Sequence, residues 1–600
     1  MKNMTGHQEL IEKRIRLVVV TSIVILLVFA LRLVDVQAVR AAGYASRADM
    51  ELTKKTTIMA PRGSITDVNG VEFARSVVAY RILVDQVIIQ FPQQLAAIAA
   101  PILGMPQAAL ESQFVGTRRY VVISQSVKPE VWNALQNAID NYNAKVSAEK
   151  NGFAKRLAGF FAERIYTREY PQGALGAAVV GFINRAGDGA AGLEYSMNHS
   201  LSGVNGEYTY ANAAGTIIPG TQKITVEERR GNTVRLTIDR DVQWVAQQAI
   251  ADVVAKAHAQ SGTVIVMNPK TGAILAHATA PSFDPGQTKG VDPYSWQNPS
   301  VQEVFEPGST GKVMTVSAAI EEGKITPETV LTVPDTLKRY DKTFHDHNKH
   351  ATEYLTLAGA LAVSSNTAAI QVGELLSHEK LHDYLVKFGI SSKTGSGLPG
   401  EEAGKLLPVK QWSGTTAPTV AFGQGYSLTA MQATSVYATI ANDGVRVTPT
   451  LIAGVSDASG RFTPAGQQKS VRVVSKSTAD QVRLMLESVV SAEGTAPGAA
   501  IPGYRVAGKT GTAWRVDDSC GCYRGYTASF IGFAPADNPA YVISVIIQDP
   551  KGIHYGGLLG GPVFKRVMTF VLQKEHVPPT APATMKYALN RDELAKKKSA

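Results

Sequence analysis

Phe305-Glu306-Pro307-Gly308-Ser309-Thr310-Gly311-Lys312-Val313-Met314 opens near a proline and a glycine, sets a serine and a lysine three positions apart, and runs on into apolar residues. The pattern predicts a loop that turns into a helix just as it presents Ser309. Positions i and i+3 share a helix face, so the Lys312 amine is within reach of the Ser309 hydroxyl. A hydroxyl with a base one turn away is the minimum kit for nucleophilic acyl transfer. Val313, Val316, Ala319 and Ile320 bury the helix behind it, and Gly323 is placed to end it. The same spacing recurs at Ser147-Ala148-Glu149-Lys150, in a polar stretch, and at Ser377-His378-Glu379-Lys380, which reads as the capped first turn of a surface helix. An ordinary helix-start serine is also the plainest reading of Ser309 taken alone.

Two further stretches change that reading. Ser364-Ser365-Asn366 lies between the apolar segments Leu355–Val363 and Ala368–Leu376. Ser365 and Asn366 suit an N-cap, and a hydroxyl and an amide on such a loop can also relay a proton and hold an amide substrate. Lys509-Thr510-Gly511-Thr512 follows Val506-Ala507-Gly508. On a strand, its cation and hydroxyl suit a substrate carboxylate, and Gly511 lets a substrate backbone come close. Gly503-Tyr504-Arg505-Val506-Ala507-Gly508-Lys509-Thr510 also satisfies the phosphate-binding pattern G-x-x-x-x-G-K-T in full. That loop needs a helix after it to cradle phosphate, whereas Thr512-Ala513-Trp514-Arg515-Val516 continues extended. A twin, Lys393-Thr394-Gly395, sits in a loop and reads as a turn.

The rest of the chain supplies a frame for these three stretches. Six hundred residues imply several domains, and 44% hydrophobic with 18% charged residues is globular. The net charge of +10 is spread without aromatic interleaving, which suits an anionic lipid or polymer surface better than nucleic acid. Cys520 and Cys522 are the two cysteines, too few for a disulfide framework; their redox state stays open. Leu17–Leu31 carries no charge between Arg16 and Arg32, which predicts a membrane anchor with a basic cytoplasmic N-terminus and the remainder outside. Ser64 to Ala74 predicts a hairpin about Asn69-Gly70, and Pro129–Asn141 a helix. Thr233–Ile238 predicts a strand, followed by a helix capped by Asp239 or Asp241. Gly262–Met267 and Ala273–Thr279 predict a hairpin, joined late in the chain by strands at Ala528–Ala534 and Tyr541–Ile547. Strands from both ends with helices between them predict an α/β (α+β) domain, one sheet covered by helices. His345-Asp346-His347-Asn348-Lys349-His350 lacks a second ligand group for a metal and reads as an exposed polar loop near the cleft.

Serine-lysine, serine-asparagine and lysine-threonine-glycine in this order resemble the triplet of the penicillin-recognising serine enzymes. Over nearly its full length the chain is similar to a class B penicillin-binding protein. Arg32 to Gln37, Arg62 to Asp67, Arg168 to Pro171, Gly189 to Glu194 and Gly423-Gln424-Gly425-Tyr426 match its stalk, pedestal and site motifs. The resemblance implies a cytoplasmic tail (1–16), a transmembrane anchor (17–36), a stalk (37–55) and a pedestal or dimerisation-like domain (56–230). A transpeptidase domain of the serine β-lactamase-like fold (231–575) and a disordered basic tail (576–600) complete it. It implies a peptidoglycan D,D-transpeptidase of cell division, with Ser309 as nucleophile, Lys312 as its base, Ser364 passing a proton and Asn366 holding the substrate amide. The Ser309 and Thr512 N–H groups would hold the oxyanion, and Lys509 and Thr510, beside Gly511, the terminal carboxylate. No cofactor or metal is implied. The expected partners are stem peptides, β-lactams and a membrane glycan polymerase with its division or elongation machinery, and no nucleic acid or nucleotide. A β-lactam sensor that does not turn over, and a D,D-carboxypeptidase, are the rival readings.

Overall fold

The structure, a computed structural model, describes residues 5–44, 46, 53–149, 152–213, 216–217, 223–517, 520–580 and 586–599. It divides into two units, one joining the chain up to Ala60 with Val204–Arg229, the other joining Pro61–Gly203 with the chain from Arg230. Part of the expected stalk, and Lys150 of the second serine-lysine pair, lie outside the described residues.

In the first unit the uncharged run between Arg16 and Arg32 is helical throughout, Thr5–Val34, and continues into a wider turn at Asp35–Val39. Among the described residues it is the one helix long and apolar enough to cross a membrane, and its apolar window is wholly exposed. Arg32 pairs with Asp35 at 2.6 Å, which offsets a charge at the end of the apolar run. The strand Thr53–Ile58 pairs antiparallel with Gly206–Ala213, which Lys223–Val226 also flanks.

In the second unit the Asn69-Gly70 turn joins Ile65–Thr66 to the long strand Glu72–Val84, with Gly70 at φ +89° as such a turn requires. Phe160–Glu169 and Val121–Val127 pair with that strand, and Thr233–Leu236 runs parallel to Ile65–Thr66. The helix predicted from Pro129 extends to Ser147 and helps enclose Ile82, Val84, Leu95, Phe114 and Leu135. Three sequence motifs without an obvious chemistry meet here. The fully buried Glu194 carboxylate takes Arg62 Nε at 2.6 Å and Arg168 Nε at 2.7 Å. Arg62 also donates to the Glu194 carbonyl at 2.7 Å, and Arg168 to the Gly63 carbonyl at 2.8 Å. Two guanidinium groups thus clamp three distant backbone segments through one carboxylate.

The part of the chain from Arg230 onward is built as the alternation predicts. Asp239 caps helix α1 (Arg240–Lys256), its carboxylate accepting from the Asp241 and Val242 N–H groups. Strands β1 (Ser261–Met267) and β2 (Ile274–Ala280) form the expected hairpin. Helices α2 (Lys312–Glu321), α3 (Leu357–Ala362), α4 (Asn366–Gly373) and α5 (Ala430–Ala441) come between them and the late strands. Those are β3 (Ala507–Asp517), β4 (Cys522–Ala534) and β5 (Tyr541–Gln548), followed by helix α6 (Gly556–Lys574). The sheet runs β2-β1-β5-β4-β3, antiparallel throughout, with β3 at its edge. Helices α1 and α6 pack on it and on each other. Helix α5 also packs on it, Thr434 meeting Ser544 of β5 hydroxyl to hydroxyl at 2.7 Å.

One expectation needs correction, and one open point closes. The last residues are not a disordered tail: Arg591–Ser599 is a helix that seats Leu594, and the chain before it straps down the start of α3. There Thr356 donates from its N–H to the Leu589 carbonyl at 3.1 Å and from its hydroxyl to the Ala588 carbonyl at 2.6 Å. Composition suggested disorder because three lysines dominate the end, but Leu589 and Leu594 find apolar cover. The redox state left open at the cysteines is a disulfide, Cys520–Cys522, at the tip of the β3–β4 hairpin.

The arginine clamp makes Glu194→Gln a sharp test of the pedestal, because the shape is kept while two buried cations lose their charge partner. Thermal or urea unfolding is expected to show a loss of about 3 kcal/mol, at the low end for breaking a buried pair. A change within 0.5 kcal/mol, the ordinary scatter of ~0.5 kcal/mol for surface substitutions, would contradict the clamp.

Candidate active site

Gly308 to Gly311 form one tight turn of 3-10 helix that runs straight into α2, so Ser309 stands at the helix mouth as the sequence predicts. Gly308 is at φ +53° and donates its N–H to the Gly423 carbonyl at 2.8 Å. A Cβ on Gly423 would lie 1.8 Å from the Gly308 carbonyl oxygen, so only glycine lets these loops touch. Glu306 ties the same turn down, accepting from the Gly425 N–H at 3.1 Å and the Tyr523 hydroxyl at 3.1 Å. Burial lifts the Glu306 carboxyl above its ordinary range.

Behind the half-buried Ser309, Lys312 is 1% exposed. Its Nζ donates to the Ser364 carbonyl at 2.5 Å and to Asn366 Oδ1 at 2.7 Å, with Ser364 Oγ 3.4 Å away. Lys509 reaches the same spot from β3, its Nζ 2.8 Å from Ser364 Oγ. The structure therefore brings Ser364, Asn366, Lys312 and Lys509 into one cluster. Burial lowers the Lys312 amine from 10.5 to about 7, with the Asp346 carboxylate pulling the other way. Burial also drives Lys509 well below its ordinary value, and the neighbouring Lys312 adds to it. Desolvation disfavours the charged form of an amine, and a second amine nearby repeats the penalty. A neutral Lys312 has two protons, which the two carbonyl-type oxygens take. That leaves its lone pair free to accept a proton.

Ser364 is held at φ +65°, a left-handed conformation that costs a non-glycine residue about 1–2 kcal/mol. Ser365 does the ordinary work anticipated for it, capping α4 by accepting from the Ala368 N–H. The surprise is Asp346, expected in an exposed polar loop: its side chain is 8% exposed and spent under the Ser364–Asn366 loop. Among the described residues, no group of three or more histidines, cysteines or carboxylates is arranged to hold a metal.

On β3, Thr510 is the hydroxyl expected to hold a substrate carboxylate together with Lys509. Thr510 is buried and its Oγ1 is paired with Thr495 Oγ1 at 2.7 Å. Thr512 is less buried, and its Oγ1 accepts from the Gly556 N–H at 3.3 Å, which leaves the hydroxyl proton for a ligand. A Cβ on Gly511 would lie 3.0 Å from the Pro307 carbonyl oxygen, which shows how closely β3 runs past the Ser309 turn. Gly-Lys-Thr lies within a strand, with no helix after it, so the phosphate-loop reading fails on backbone geometry. The serine-lysine decoy at Ser377 caps a helix, and Thr394 of the lysine-threonine-glycine twin turns onto Glu401. One feature escaped the sequence: Trp514, Tyr526 and His554 stack at 4.5 and 4.0 Å, and Tyr555 continues the row to His347. Trp514 and Tyr526 are direct partners across β3 and β4, a pairing visible only once the register is known.

Comparisons with known proteins agree with this architecture. The family described as "Penicillin binding protein transpeptidase domain" matches residues 262–569, and "Penicillin-binding Protein dimerisation domain" matches 57–236. PbpB of Mycobacterium tuberculosis is 35% identical, covering 93% of this chain and 84% of its own. Stage V sporulation protein D of Bacillus subtilis is 31% identical over 95% of this chain and 87% of its own. The crystal structure of penicillin binding protein 3 from Mycobacterium tuberculosis complexed with aztreonam superposes with a TM-score of 0.68 at 32% identity, covering 88% of this chain and 99% of that one.

Lysine side-chain NMR is expected to show an ε-ammonium resonance titrating at about 7 and lost in Lys312→Met. Lysine resonances that all titrate near 10, the ordinary value of roughly 10.4, would refute a neutral amine beside Ser309.

Proposed function

Because the chain belongs to the class B penicillin-binding proteins, we propose that it is a peptidoglycan D,D-transpeptidase working through an acyl-enzyme on Ser309. The observation that carries this is the buried Lys312 amine, lowered to about 7 and bonded to Ser364 and Asn366 one helical turn from Ser309. Lys312 Nζ takes the Ser309 proton as Oγ attacks the carbonyl of the penultimate D-alanine. The N–H groups of Ser309 and Thr512 receive the oxyanion, one at a helix start and one on the strand passing beside it. Ser364, between the two lysines, hands the proton to the departing D-alanine nitrogen, and the C–N bond breaks. Asn366 holds the donor's backbone amide through its side chain. Lys509, Thr510 and Thr512 receive the terminal carboxylate, the Thr512 hydroxyl proton being left for it because its oxygen accepts from the Gly556 N–H. An amine from a second stem then attacks the ester, and Ser309 is regenerated. No step needs a cofactor.

The edge strand β3 suits an extended peptide, which can add alongside it and use its unpaired backbone groups. Trp514 and Tyr526 lie on the same hairpin, with His554 stacked on Tyr526 from the segment before α6, and their aromatic faces can cover apolar parts of a donor. Lys13, Arg14 and Arg16, ahead of the apolar run of the N-terminal helix, support a cytoplasmic N-terminus and a catalytic half outside, where the wall is built. A membrane glycan polymerase would supply the strands that the site cross-links, at cell division.

Fluorescent penicillin is expected to label the protein and not Ser309→Ala; equal labelling of both would refute the nucleophile. Only neutral Lys312 is a base, so the labelling rate rises with pH through about 7 and levels off above it. Well below that point it falls about tenfold for each pH unit, as for any single essential base. A fluorescent fusion is expected at midcell; an even distribution along the growing wall would overturn the division assignment and leave the chemistry standing.

A further inference from the structure

Asp346 lies between the strands Lys342–His345 and Glu353–Thr356, twenty residues before Asn366. Its Oδ1 accepts from the Asn366 N–H at 2.5 Å and the Thr367 N–H at 3.0 Å. Its Oδ2 accepts from the Ser365 hydroxyl at 2.6 Å, and His350 Nε2 stands 3.2 Å from the same oxygen. These are donors at the open N-terminus of α4, where no carbonyl of the helix can satisfy them. A carboxylate there gains from the helix dipole as well as from the hydrogen bonds. The chain around it is fixed too: the Asp346 N–H donates to the Asp335 carbonyl at 2.9 Å, and Asn366 Nδ2 donates to the His345 carbonyl at 3.0 Å. That last bond sets which way the Asn366 amide points. Its nitrogen faces His345, so its oxygen faces Lys312, where it accepts at 2.7 Å.

Ser364 immediately precedes the clamped residues and sits in a left-handed conformation that does not persist unaided. We propose that Asp346 is the positioning residue of the acyl-transfer site. Its carboxylate, steadied by His350, clamps Ser365, Asn366 and Thr367 so that the Ser364 carbonyl and the Asn366 amide oxygen hold the Lys312 amine with its lone pair toward Ser309. Asp346 touches neither substrate nor reacting atoms. It acts through two residues that do. The clamp rests on the acyl-enzyme reading above and explains how that site keeps its geometry before any substrate arrives.

The charged groups facing this carboxylate are Lys312 from α2 and His350 from its own loop, with Lys509 behind Ser364 and Glu353 4.0 Å from His350. A negative charge at Asp346 favours protonated Lys312. Removing that charge while keeping the shape, as Asp346→Asn does, moves the acid limb of the acylation rate to lower pH. It also lowers the plateau, because one loop contact is lost. Asp346→Ala removes the whole clamp, and acylation is expected to slow about 100-fold, the scale of an ångström-sized misplacement of a catalytic group.

The experiment measures acylation by a β-lactam across pH 5.5–9 for the full chain, Asp346→Asn, Asp346→Ala and His350→Gln, with Tm for each. The wild-type chain and Ser309→Ala are run beside them. A lowered plateau with the acid limb displaced downward in Asp346→Asn, and a smaller rate loss in His350→Gln, support the clamp. An unchanged profile in Asp346→Asn overturns it, and so does a slower rate whose limb has not moved and whose Tm has fallen, since that is a merely structural carboxylate. If Asp346→Ala fails to fold, the Asp346→Asn profile decides alone. Ser309-independent labelling of the wild-type chain would instead sink the acyl-enzyme reading, so the two failures are distinguishable.

Discussion

Two lysine amines converge on one serine hydroxyl, and everything near the site follows from the cost of doing that. Lys312 is 1% exposed and Lys509 fully buried, and neither has a carboxylate as a direct partner in the cluster. Two ammonium groups side by side in a dry site repel strongly, so the arrangement is tolerable only when at least one is neutral. Burial thus turns an ordinarily inert cation into a base at neutral pH. The oxygens of Ser364 and Asn366 then decide where its lone pair points. The large apolar core that excludes water is therefore part of the chemistry and not just a support for it.

That cluster needs residues from three parts of the chain, and the sheet order brings them together. The hairpin of β1 and β2 accepts the late strands on one side only, which leaves β3 as the edge facing the helices inserted between. Lys312 comes from α2, Ser364 and Asn366 from the junction of α3 and α4, and Lys509 from β3. The start of α3 is pinned by the strap at Ala588 and Leu589, and its far end runs into Ser364. A segment just ahead of the lysine-rich end thus braces the helix that leads into Ser364.

The parts legible in the sequence are those set by short-range periodicity. Alternation marked β1, β2, β4 and β5; the Asn69-Gly70 pair marked its turn, and Asp239 its cap. The order of three weak motifs distinguished Ser309 from two equally good serine-lysine spacings. What stayed hidden depends on partners far along the chain. Glu194 meets Arg62 from 132 positions away, and nothing local announces that its carboxylate is buried. Thr510 and Thr512 flank the same glycine, and only the fold shows that one hydroxyl meets Thr495 and the other the Gly556 N–H. Asp346 reads in the sequence as part of an exposed polar loop, whereas its real partners are the N–H groups of a helix twenty residues on.

The same letters can serve opposite chemistries, and backbone shape decides between them. Gly508-Lys509-Thr510 followed by a helix would aim N–H groups and an ammonium at phosphate. Here the segment is extended and registered against Ile531, Gly532 and Phe530 of β4, so its N–H groups belong to a ladder and cannot form a cradle. The lysine points instead at a serine hydroxyl in a water-poor pocket, where it is pushed toward neutrality. A lysine committed to that hydroxyl on an extended strand has no phosphate cradle beside it. Strand geometry and burial together therefore exclude the nucleotide reading more firmly than the missing helix alone.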